Sequence, residues 1–440
     1  MTEEILDALF DELFPICRSI TGEGIRRSLA IFQRYMPLEI ETVPSGTEVF
    51  DWTVPPEWNI RGARLTGPDG AVVADLERSS LAVVNYSEAI DRRMSLAELR
   101  PHLHCVPAYP DAVPYVTSYY KRNWGFCLSS REMDALKDGE YHAFIDSDFS
   151  DSGGVPFAQC ALAGDSPNEI LLTSYLCHPS LANNELSGPL VLLGLYDRIR
   201  QWPRRRFTYR FLLNPETIGA LCYLHRYGDL LRERMVCGIV LTCLGGPSER
   251  ITYKPSRKGT SLMDRTVRYL RESERFPVDV RVFDPVEGSD ERQYCSPGFN
   301  LPVGQFARTV YGFYPGYHNS LDTKEFMGMA AVGRSIDDIE RMLLLQEMGS
   351  RYVNLKPYGE PQLGRRGLYP NENSVATWKK STDELADSRR YLNHMLMVLN
   401  YADGDEDMME IATRCGCKLE ELSDVVDKLE QAGLLAHLGK

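Results

Sequence analysis

The sequence lacks the features of a membrane-anchored or secreted protein. It has no apolar run long enough to cross a bilayer, and its N-terminus, Met1-Thr2-Glu3-Glu4, is acidic where a signal peptide would be basic. Its 11 cysteines are odd in number and scattered, without the spacing of a disulfide framework or a zinc finger. We therefore expect reduced thiols, a cytoplasmic location and no membrane partner.

Basic charge is also scarce. The 440 residues include 49 lysines and arginines against 62 aspartates and glutamates, which gives a net charge of −13. Phosphate backbones repel such a chain, so we expect no nucleic acid partner. The hydrophobic fraction, 43%, is ordinary for a globular protein. Because the length exceeds what one hydrophobic core usually holds, we expect two or three domains.

The residue pattern divides the chain into three units. Helical patterns near the N-terminus give way after Leu38 to turn residues and short β-rich runs, and from Glu169 strands and helices alternate. This alternation is typical of an α/β fold with a mixed, mostly parallel sheet flanked by helices. We predict an α/β core from residues 1–45 and 157–354, a β-rich inserted domain at 46–150 and a small helical C-terminal module at 355–440.

The C-terminal pattern predicts three helices and a turn. The helices fall at 392–400, 408–415 and 419–432, and a short turn or wing follows at 433–435. This order is the outline of a winged-helix module, and a plain helical cap is the alternative. Because the helices are acidic, DNA binding is the less favoured use of this module. The same acidity disfavours a function as a regulator that combines a winged helix with a sensor domain.

The most informative stretch covers residues 169–199. An apolar run at 169–176 predicts a buried strand, a polar loop at 177–188 contains His178, and residues 189–199 have helical spacing. Ligands of open α/β sheets bind where strands end and helices begin. Imidazole is also the commonest protein ligand of catalytic metals. A capping loop with an incidental histidine is the alternative interpretation.

Polar clusters follow four of the predicted strands. Their principal members are His178 with Asn184 and Glu185, then Glu216, then Cys243, and finally His318 with Asp322. Because the carboxyl ends of neighbouring strands converge on one crevice, we expect these groups to lie together. Such a set can hold Zn²⁺, leave one position open for water and use Glu216 as the base that takes the water's proton.

Each of these residues also has a structural interpretation. His178 and His318 are then hydrogen-bonded core histidines, and Glu216 caps the helix that follows it. Cys243 is favoured as a buried thiol over a ligand. Asp322 caps a helix or turn in that interpretation.

The order of these clusters resembles the zinc aminopeptidases with a co-catalytic metal pair, of the bacterial leucyl aminopeptidase type. That family presents a His near a strand end, then Ala-Asn-Asp-Asn-x-Ser-Gly, Glu-Glu-x-Gly, an Asp after a strand and Tyr-His-Thr-x-x-Asp. This chain has His178, Ala-Asn-Asn-Glu-Leu-Ser-Gly at 182–188, Glu-Thr-Ile-Gly at 216–219, Cys243 and Tyr-His-Asn-Ser-Leu-Asp at 317–322. Gly-Ser-Asp at 288–290 is similar to a segment that precedes the family's last histidine.

Over its whole length the chain resembles a little-characterised bacterial family called aminopeptidase-like, often labelled with polysaccharide biosynthesis. Members combine an inserted β domain, an aminopeptidase-like core and a C-terminal winged-helix-like module. The stretches that carry this resemblance are residues 18–22, 114–120 and 290–298.

The resemblance implies a zinc hydrolase with a degenerate metal site. His178, Asn184, His318 and Cys243 stand at positions of metal ligands, and Glu216 stands at that of the catalytic base. Asn184 replaces the carboxylate that bridges two metals in the family, while Thr217 and Cys243 replace two further carboxylates. A neutral amide offsets little of the repulsion between two cations, so we expect one zinc ion rather than two.

Four further residues are expected to contact the substrate or support the ligands. They are Asp290, Arg292, Asp322 and Glu185. For Asp290 and Arg292, an ion pair between the two side chains is the alternative.

These expectations favour hydrolysis of a peptide or amide bond next to a free amino group. The substrate is then a small peptide or aminoacyl amide, and a homo-oligomer is compatible with the sequence. The alternative is an acyl-transferring or cyclising enzyme, or a catalytically silent binding protein, on the same scaffold. Metal content with turnover of aminoacyl amides favours the hydrolase, and ligand binding without turnover favours the alternative.

Overall fold

An eight-stranded mixed sheet forms the centre of the computed structural model, which describes residues 1–369 and 383–438. In the middle of the sheet, four neighbouring strands run parallel, and antiparallel strands join them on either side. This arrangement confirms the predicted fold class. The strands in spatial order are Glu39–Pro44, Gly154–Leu162, Thr208–Asn214, Glu169–Tyr175, Met235–Leu241, Val303–Ala307, Ile251–Lys254 and Val278–Val280.

Helices cover both faces of this sheet. The central strand Glu169–Tyr175 is fully buried because Ile170 and Leu172 face one hydrophobic cluster and Leu171 faces another. Continuous apolar strands of this kind are typical of a sheet with two covered faces. The helices around the sheet are Glu3–Leu13, Glu23–Gln33, Ser187–Ile199, Ile218–Arg234, Leu262–Ser273, Glu291–Tyr294 and Met329–Met348.

The inserted segment builds a separate four-stranded sheet with its own hydrophobic cluster. Its strands lie in the order Val72–Asp75, Glu57–Thr66, Glu140–Ser150 and Ile90–Ser95. The remaining elements of the segment are the strand pairs Glu48–Val49 with Trp52–Thr53 and Leu103–His104 with Phe126–Cys127, the helices Leu96–Leu99 and Ser130–Asp134, and the 3-10 turns Ser80–Ala82 and Arg100–His102.

The C-terminal region combines three helices with a three-stranded antiparallel sheet. The helices are Asp383–Tyr401, Met408–Cys415 and Glu420–Gln431, a 3-10 turn lies at Gly364–Arg366, and the strands in spatial order are Asp403–Asp407, Arg351–Asn354 and Leu435–His437. Helices flanked by such a sheet form a winged helix. No helix among the described residues is long and apolar enough to cross a membrane.

One boundary of the predicted division differs from the structure. The predicted core ended at residue 354, whereas Arg351–Asn354 pairs with both other strands of the C-terminal sheet. Tyr352 of this strand is buried, at 1% exposure, and pairs with His437 of the last strand. Residues 370–382 and 439–440 of the predicted module lie outside the described residues. The rest of the three-part division stays a prediction.

Gly188 lets the helix Ser187–Ile199 begin directly against the central sheet. A Cβ atom at this position would lie 2.3 Å from the carbonyl oxygen of Leu241 and 2.3 Å from Ser174 Oγ. Since protein interiors are close-packed, such a contact would push the helix away from the strand. The helix continues from the loop that follows His178, so this close approach also fixes the position of that loop.

We expect Gly188→Ala to lower the free energy of unfolding by about 2 kcal/mol or more, because the added methyl group meets backbone that cannot yield locally. Gly333→Ala is the matched control. Gly333 lies in the helix Met329–Met348 with nothing within 4 Å of an added Cβ, so alanine should stabilise that helix by about 0.5–1 kcal/mol. Denaturant unfolding measures both variants, and equal stabilities would contradict the proposed close approach.

Candidate metal-binding active site

His178 lies just beyond the carboxyl end of the strand Glu169–Tyr175 and is 4% exposed. Its Nδ1 lies 2.7 Å from Glu185 Oε2, and its Nε2 lies 3.5 Å from Glu216 Oε2. Burial alone would lower the pKa of His178, but Cys177 and the Glu185 carboxylate together hold that pKa well above its ordinary value. Because a carboxylate only accepts, Glu185 keeps a proton on Nδ1. Nε2 faces Glu216, and a bound cation would have to displace the proton from Nε2.

His318 comes from the loop that follows the strand Val303–Ala307, and its φ of 56° is in the left-handed region. The ring centroids of His318 and His178 are 5.3 Å apart, and Tyr317 stacks on His318 at 4.0 Å. Burial, helped by His178, lowers the pKa of His318 to about 3. His318 is therefore a neutral imidazole at physiological pH, which is the form that binds metals.

Asp322 supports the loop that carries Asn184. Its two carboxylate oxygens accept the backbone N–H groups of Asn183 and Asn184, each at 2.8 Å, and Tyr314 donates its hydroxyl at 3.2 Å. The Asn184 carbonyl accepts the Tyr175 hydroxyl at 2.7 Å. The loop, Ala182–Leu186, forms one π-helical turn before the long helix. Asp322 thus acts on backbone, while the Asn184 amide side chain is left available.

The amide of Asn184 is buried and incompletely satisfied. Asn184 is 2% exposed, its Oδ1 lies 4.0 Å from Cys243 Sγ, and its Nδ2 has no hydrogen-bond partner. Cys243 is fully buried, and burial raises the pKa of its thiol to about 12. As it stands, Cys243 is a neutral thiol, and only a bound cation would favour its thiolate.

Glu216 follows the strand Thr208–Asn214 and remains partly exposed, with a side chain 24% accessible. Its Oε1 accepts the Ser289 hydroxyl at 2.6 Å, and its backbone N–H donates to Cys177 Sγ at 3.3 Å. The helix that follows has no side-chain cap at its first residue, so the structural interpretation of Glu216 as a helix cap finds no support. Its carboxylate faces His178 instead.

Asp290 holds the turn that presents Glu216. It accepts the side-chain amide of Asn214 at 2.9 Å and the backbone N–H of Thr217 at 2.7 Å. Burial and the neighbouring Glu216 carboxylate raise the pKa of Asp290 to about 7. Thr217 has φ 62° and ψ −77°, an unusual backbone conformation for a residue with a side chain. The Asp290 contact therefore fixes a strained turn beside the cleft.

Arg292 lies near enough to Tyr317 for its positive charge to favour the ionised form of that phenol. Its Nη1 donates to the Val286 carbonyl at 3.4 Å, and within the described part of the chain no ion pair joins it to Asp290. The alternative of an Asp290–Arg292 ion pair is therefore wrong. The short helix Glu291–Tyr294 directs the two side chains to different surroundings, because Asp290 is 1% exposed and Arg292 is partly exposed.

Two residues of the site were not among those predicted. Cys177 Sγ lies 3.7 Å from His178 Nδ1, and these atoms and a Glu185 oxygen all lie within 4.8 Å of one another. Tyr115, from the inserted segment, has ring centroids 5.1 Å from His178 and 5.5 Å from His318. The aromatic run at 115–120 was the available signal for Tyr115. Cys177 gave no signal beyond its position next to His178.

The donors at this cleft suit a divalent cation. His178 presents its Nε2 to the cleft, and an imidazole nitrogen is a ligand that zinc prefers. The neutral imidazole of His318 adds a nitrogen ligand, and the Oδ1 of Asn184 adds an oxygen ligand. The residues present are therefore of the kinds that a divalent cation takes as ligands, with Thr217 in place of a further carboxylate.

The mixed sheet and the histidine–glutamate cluster at the ends of its strands define an aminopeptidase-like α/β protein. A zinc aminopeptidase from Bacillus subtilis shares this fold, with a TM-score of 0.57 over 78% of this chain and 93% of that chain at 10% identity. The chain belongs to the family of the domain of unknown function DUF4910, whose model matches residues 7–348. A winged helix-turn-helix model matches residues 350–437.

Two relatives extend over nearly the whole chain. A Clostridium acetobutylicum protein, named provisionally as a polysaccharide biosynthesis protein with aminopeptidase-like domain, is 40% identical over 430 residues, or 97% of this chain and 95% of the relative. A crystal structure from Clostridium acetobutylicum, described provisionally as a peptidase, is 37% identical with a TM-score of 0.85 and covers 99% of this chain and 96% of that chain. These matches confirm the resemblance seen in the motifs.

We expect His318 to make the metal-free protein sensitive to acid. Its folded pKa of about 3 lies below the ordinary value of 6.5, so below pH 6.5 the folded state binds fewer protons than the unfolded state and stability falls with pH. In chelator-treated protein below pH 6.5, the unfolding free energy of the wild type should fall by up to about 1.4 kcal/mol for each unit that the pH drops, relative to His318→Gln. Denaturant unfolding at several pH values measures the difference, with the exposed His225→Gln as matched control. Parallel pH profiles of wild type and His318→Gln would contradict this assignment.

Proposed function

We propose that this protein is a metal-dependent hydrolase that cleaves a peptide or amide bond next to a free amino group. A single divalent ion, zinc by preference, would be held by His178 and His318, with Asn184 completing the donor set. Cys243 joins as a fourth donor only if the ion removes its proton. The observation that carries the proposal is the Glu216 carboxylate 3.5 Å from Nε2 of a histidine whose other nitrogen is fixed by Glu185.

The role of Glu216 follows from its contacts. When bound, the ion polarises a carbonyl group and lowers the pKa of water in the site. Glu216 is the partly exposed carboxylate beside the imidazoles, so it takes a proton from the attacking water and returns it to the leaving amine. The Ser289 hydroxyl, 2.6 Å from Glu216 Oε1, orients this carboxylate. Asp290 acts one step further away, on the Thr217 backbone.

The inserted segment shapes the substrate side of the cleft. The backbone N–H of Tyr115 donates to the His318 carbonyl at 2.9 Å. The hydroxyl of Tyr115 lies 2.5 Å from the hydroxyl of Tyr119. These tyrosines cover part of the cleft, so we propose that the substrate is small, a short peptide or an aminoacyl amide. All 11 cysteines are unpaired, which supports a reducing, cytoplasmic setting for the reaction.

A catalytically silent binding protein is the second candidate. Tyr115 contacts both imidazoles, with centroids 5.1 and 5.5 Å away, and two of the family's carboxylate positions hold Asn184 and Thr217. A site so covered and so poor in carboxylates can bind a ligand without hydrolysing it. Turnover of aminoacyl amides by metal-loaded protein distinguishes the hydrolase from this candidate, and ligand binding without turnover favours the second.

We expect Glu216→Gln to reduce amide turnover by about 10²–10⁴-fold, because the variant loses its general base. The glutamine keeps the size of the side chain, so zinc content and unfolding free energy should stay near those of wild type. Steady-state kinetics on zinc-loaded protein and elemental analysis measure both quantities. Glu77→Gln, at an exposed position of the inserted segment, is the matched control and should keep full activity. Undiminished turnover by Glu216→Gln would rule out Glu216 as the base.

We expect Asn184→Asp to raise the zinc content from one towards two ions per chain, because a carboxylate offsets the repulsion between two cations and the amide does not. Elemental analysis after dialysis against zinc measures this change, and Asn393→Asp at an exposed position is the matched control. A variant that binds no more metal than wild type would show that Asn184 does not occupy the bridging position. Glu185 would then be the next residue to test.

A further inference from the structure

A cavity of about 320 Å³ lies between the aminopeptidase-like core and the winged helix. The core contributes the beginning of the strand Met235–Leu241 and the residues just before Val303–Ala307. The C-terminal region contributes Ser350, Arg351 and His437. The metal-binding cleft lies at the carboxyl ends of the parallel strands. The cavity therefore lies at the amino ends of these strands, on the opposite side of the sheet from the metal-binding cleft.

The cavity combines an apolar wall with cationic groups. Its apolar wall is made by Phe207, Met235, Leu262, Leu301, Pro302 and Leu438. Lys258, Arg265 and Arg351 also line it, and no carboxylate does among the described residues around it. Arg265 is balanced by Asp407 at 2.8 Å, whereas Lys258 and Arg351 have no such ion pair within the described chain. In a chain of net charge −13, this concentration of positive charge is local.

Buried polar groups in the cavity wall lack partners. Ser350 is 7% exposed, yet its hydroxyl has no hydrogen-bond partner. The neighbouring Nε of Arg351 is also buried without a partner. Burying a polar group without a hydrogen bond is unfavourable, so these two adjacent groups favour a bound partner that satisfies them. The Arg351 Nε–H only donates and the Ser350 hydroxyl can donate, so one acceptor group can satisfy both.

The nearby histidine agrees with this electrostatic setting. His437 lies opposite Tyr352 in the strand pair, with ring centroids 5.6 Å apart. Burial, together with Arg206 and Arg204, lowers the pKa of His437 to about 4. His437 is therefore neutral at physiological pH, and the positive charge around it comes from arginine and lysine.

We propose that this cavity binds a small organic anion, whose carboxylate or phosphate group meets Ser350, Arg351 and Lys258 while its apolar part packs on the opposite wall. The ligand would contact the core through Lys258 and the winged helix through Arg351. Its binding would therefore hold the two units together. The site is separate from the metal-binding cleft, so the proposal does not depend on the proposed hydrolysis.

Four probes with the same six-carbon chain test the proposal on the full-length protein: hexanoate, monohexyl phosphate, 1-hexanol and hexylamine. Isothermal titration calorimetry should show that one or both anions bind at least about tenfold more tightly than the alcohol or the amine, because a charged hydrogen bond is worth about 1.5–3 kcal/mol. The better anion identifies the carboxylate or the phosphate as the preferred group. Failure of both anions to bind at millimolar concentration, or equal binding of the amine, overturns the proposal.

Substitutions then locate the binding. Arg351→Met and Lys258→Met remove one charge each and should weaken the anion by about tenfold or more. Arg365→Met, at an exposed position outside the cavity, is the matched control and should leave affinity unchanged. Lys258 lies in an exposed loop, so its substitution keeps the test valid if Arg351→Met fails to fold. Unchanged affinity in Lys258→Met overturns the site.

One further variant separates the cavity from the metal-binding cleft. An anion attracted to a metal ion would lose its affinity in His318→Gln or after chelation. The proposed site predicts unchanged affinity in both cases. Loss of anion binding in His318→Gln would therefore assign the ligand to the metal-binding cleft and overturn the proposal.

Discussion

Glu185 brings a carboxylate into the interior, where it meets the imidazole of His178 at 2.7 Å and is fully shielded from water. A buried charge persists only when a partner compensates it, and removing one partner typically costs about 3–5 kcal/mol. Arg18, also fully buried, contributes a second positive charge near Glu185. The orientation of His178, the direction of its Nε2 and the position of the loop before the long helix all depend on this contact.

The inserted segment and the core complete the site together. Tyr115 packs against the imidazoles that the core supplies, and the neighbouring Val113 exchanges hydrogen bonds with Ser320 in the loop after His318. The insert is therefore more than an appended domain. Its residue Tyr115 covers the two imidazoles, while the sheet sets where those imidazoles lie.

The sequence predicted the parts of the site that follow from local pattern. A buried strand followed by a polar loop located His178, and the same logic located Glu216 and His318, because strand ends converge whatever the loop sequences are. It did not predict the contact of Tyr115 with His178, because the two residues are 63 positions apart and their contact depends on how the inserted segment packs on the core. It also gave no means of deciding whether Arg292 pairs with Asp290, because a separation of two residues does not fix side-chain direction. The strand Arg351–Asn354 was assigned to the wrong unit because its partner strands lie at the far end of the chain.

Three of the loops around the cleft pass through the left-handed region of backbone conformation at a residue that bears a side chain. These residues are Thr217, Cys243 and His318, with φ of 62°, 51° and 56°. Each such residue costs of order 1–3 kcal/mol, which glycine would largely avoid. Directed evolution for heat resistance would therefore be drawn to glycine at these positions. Substitution at these positions would remove side chains of the cleft, so thermal stability and the proposed function compete at the same three residues.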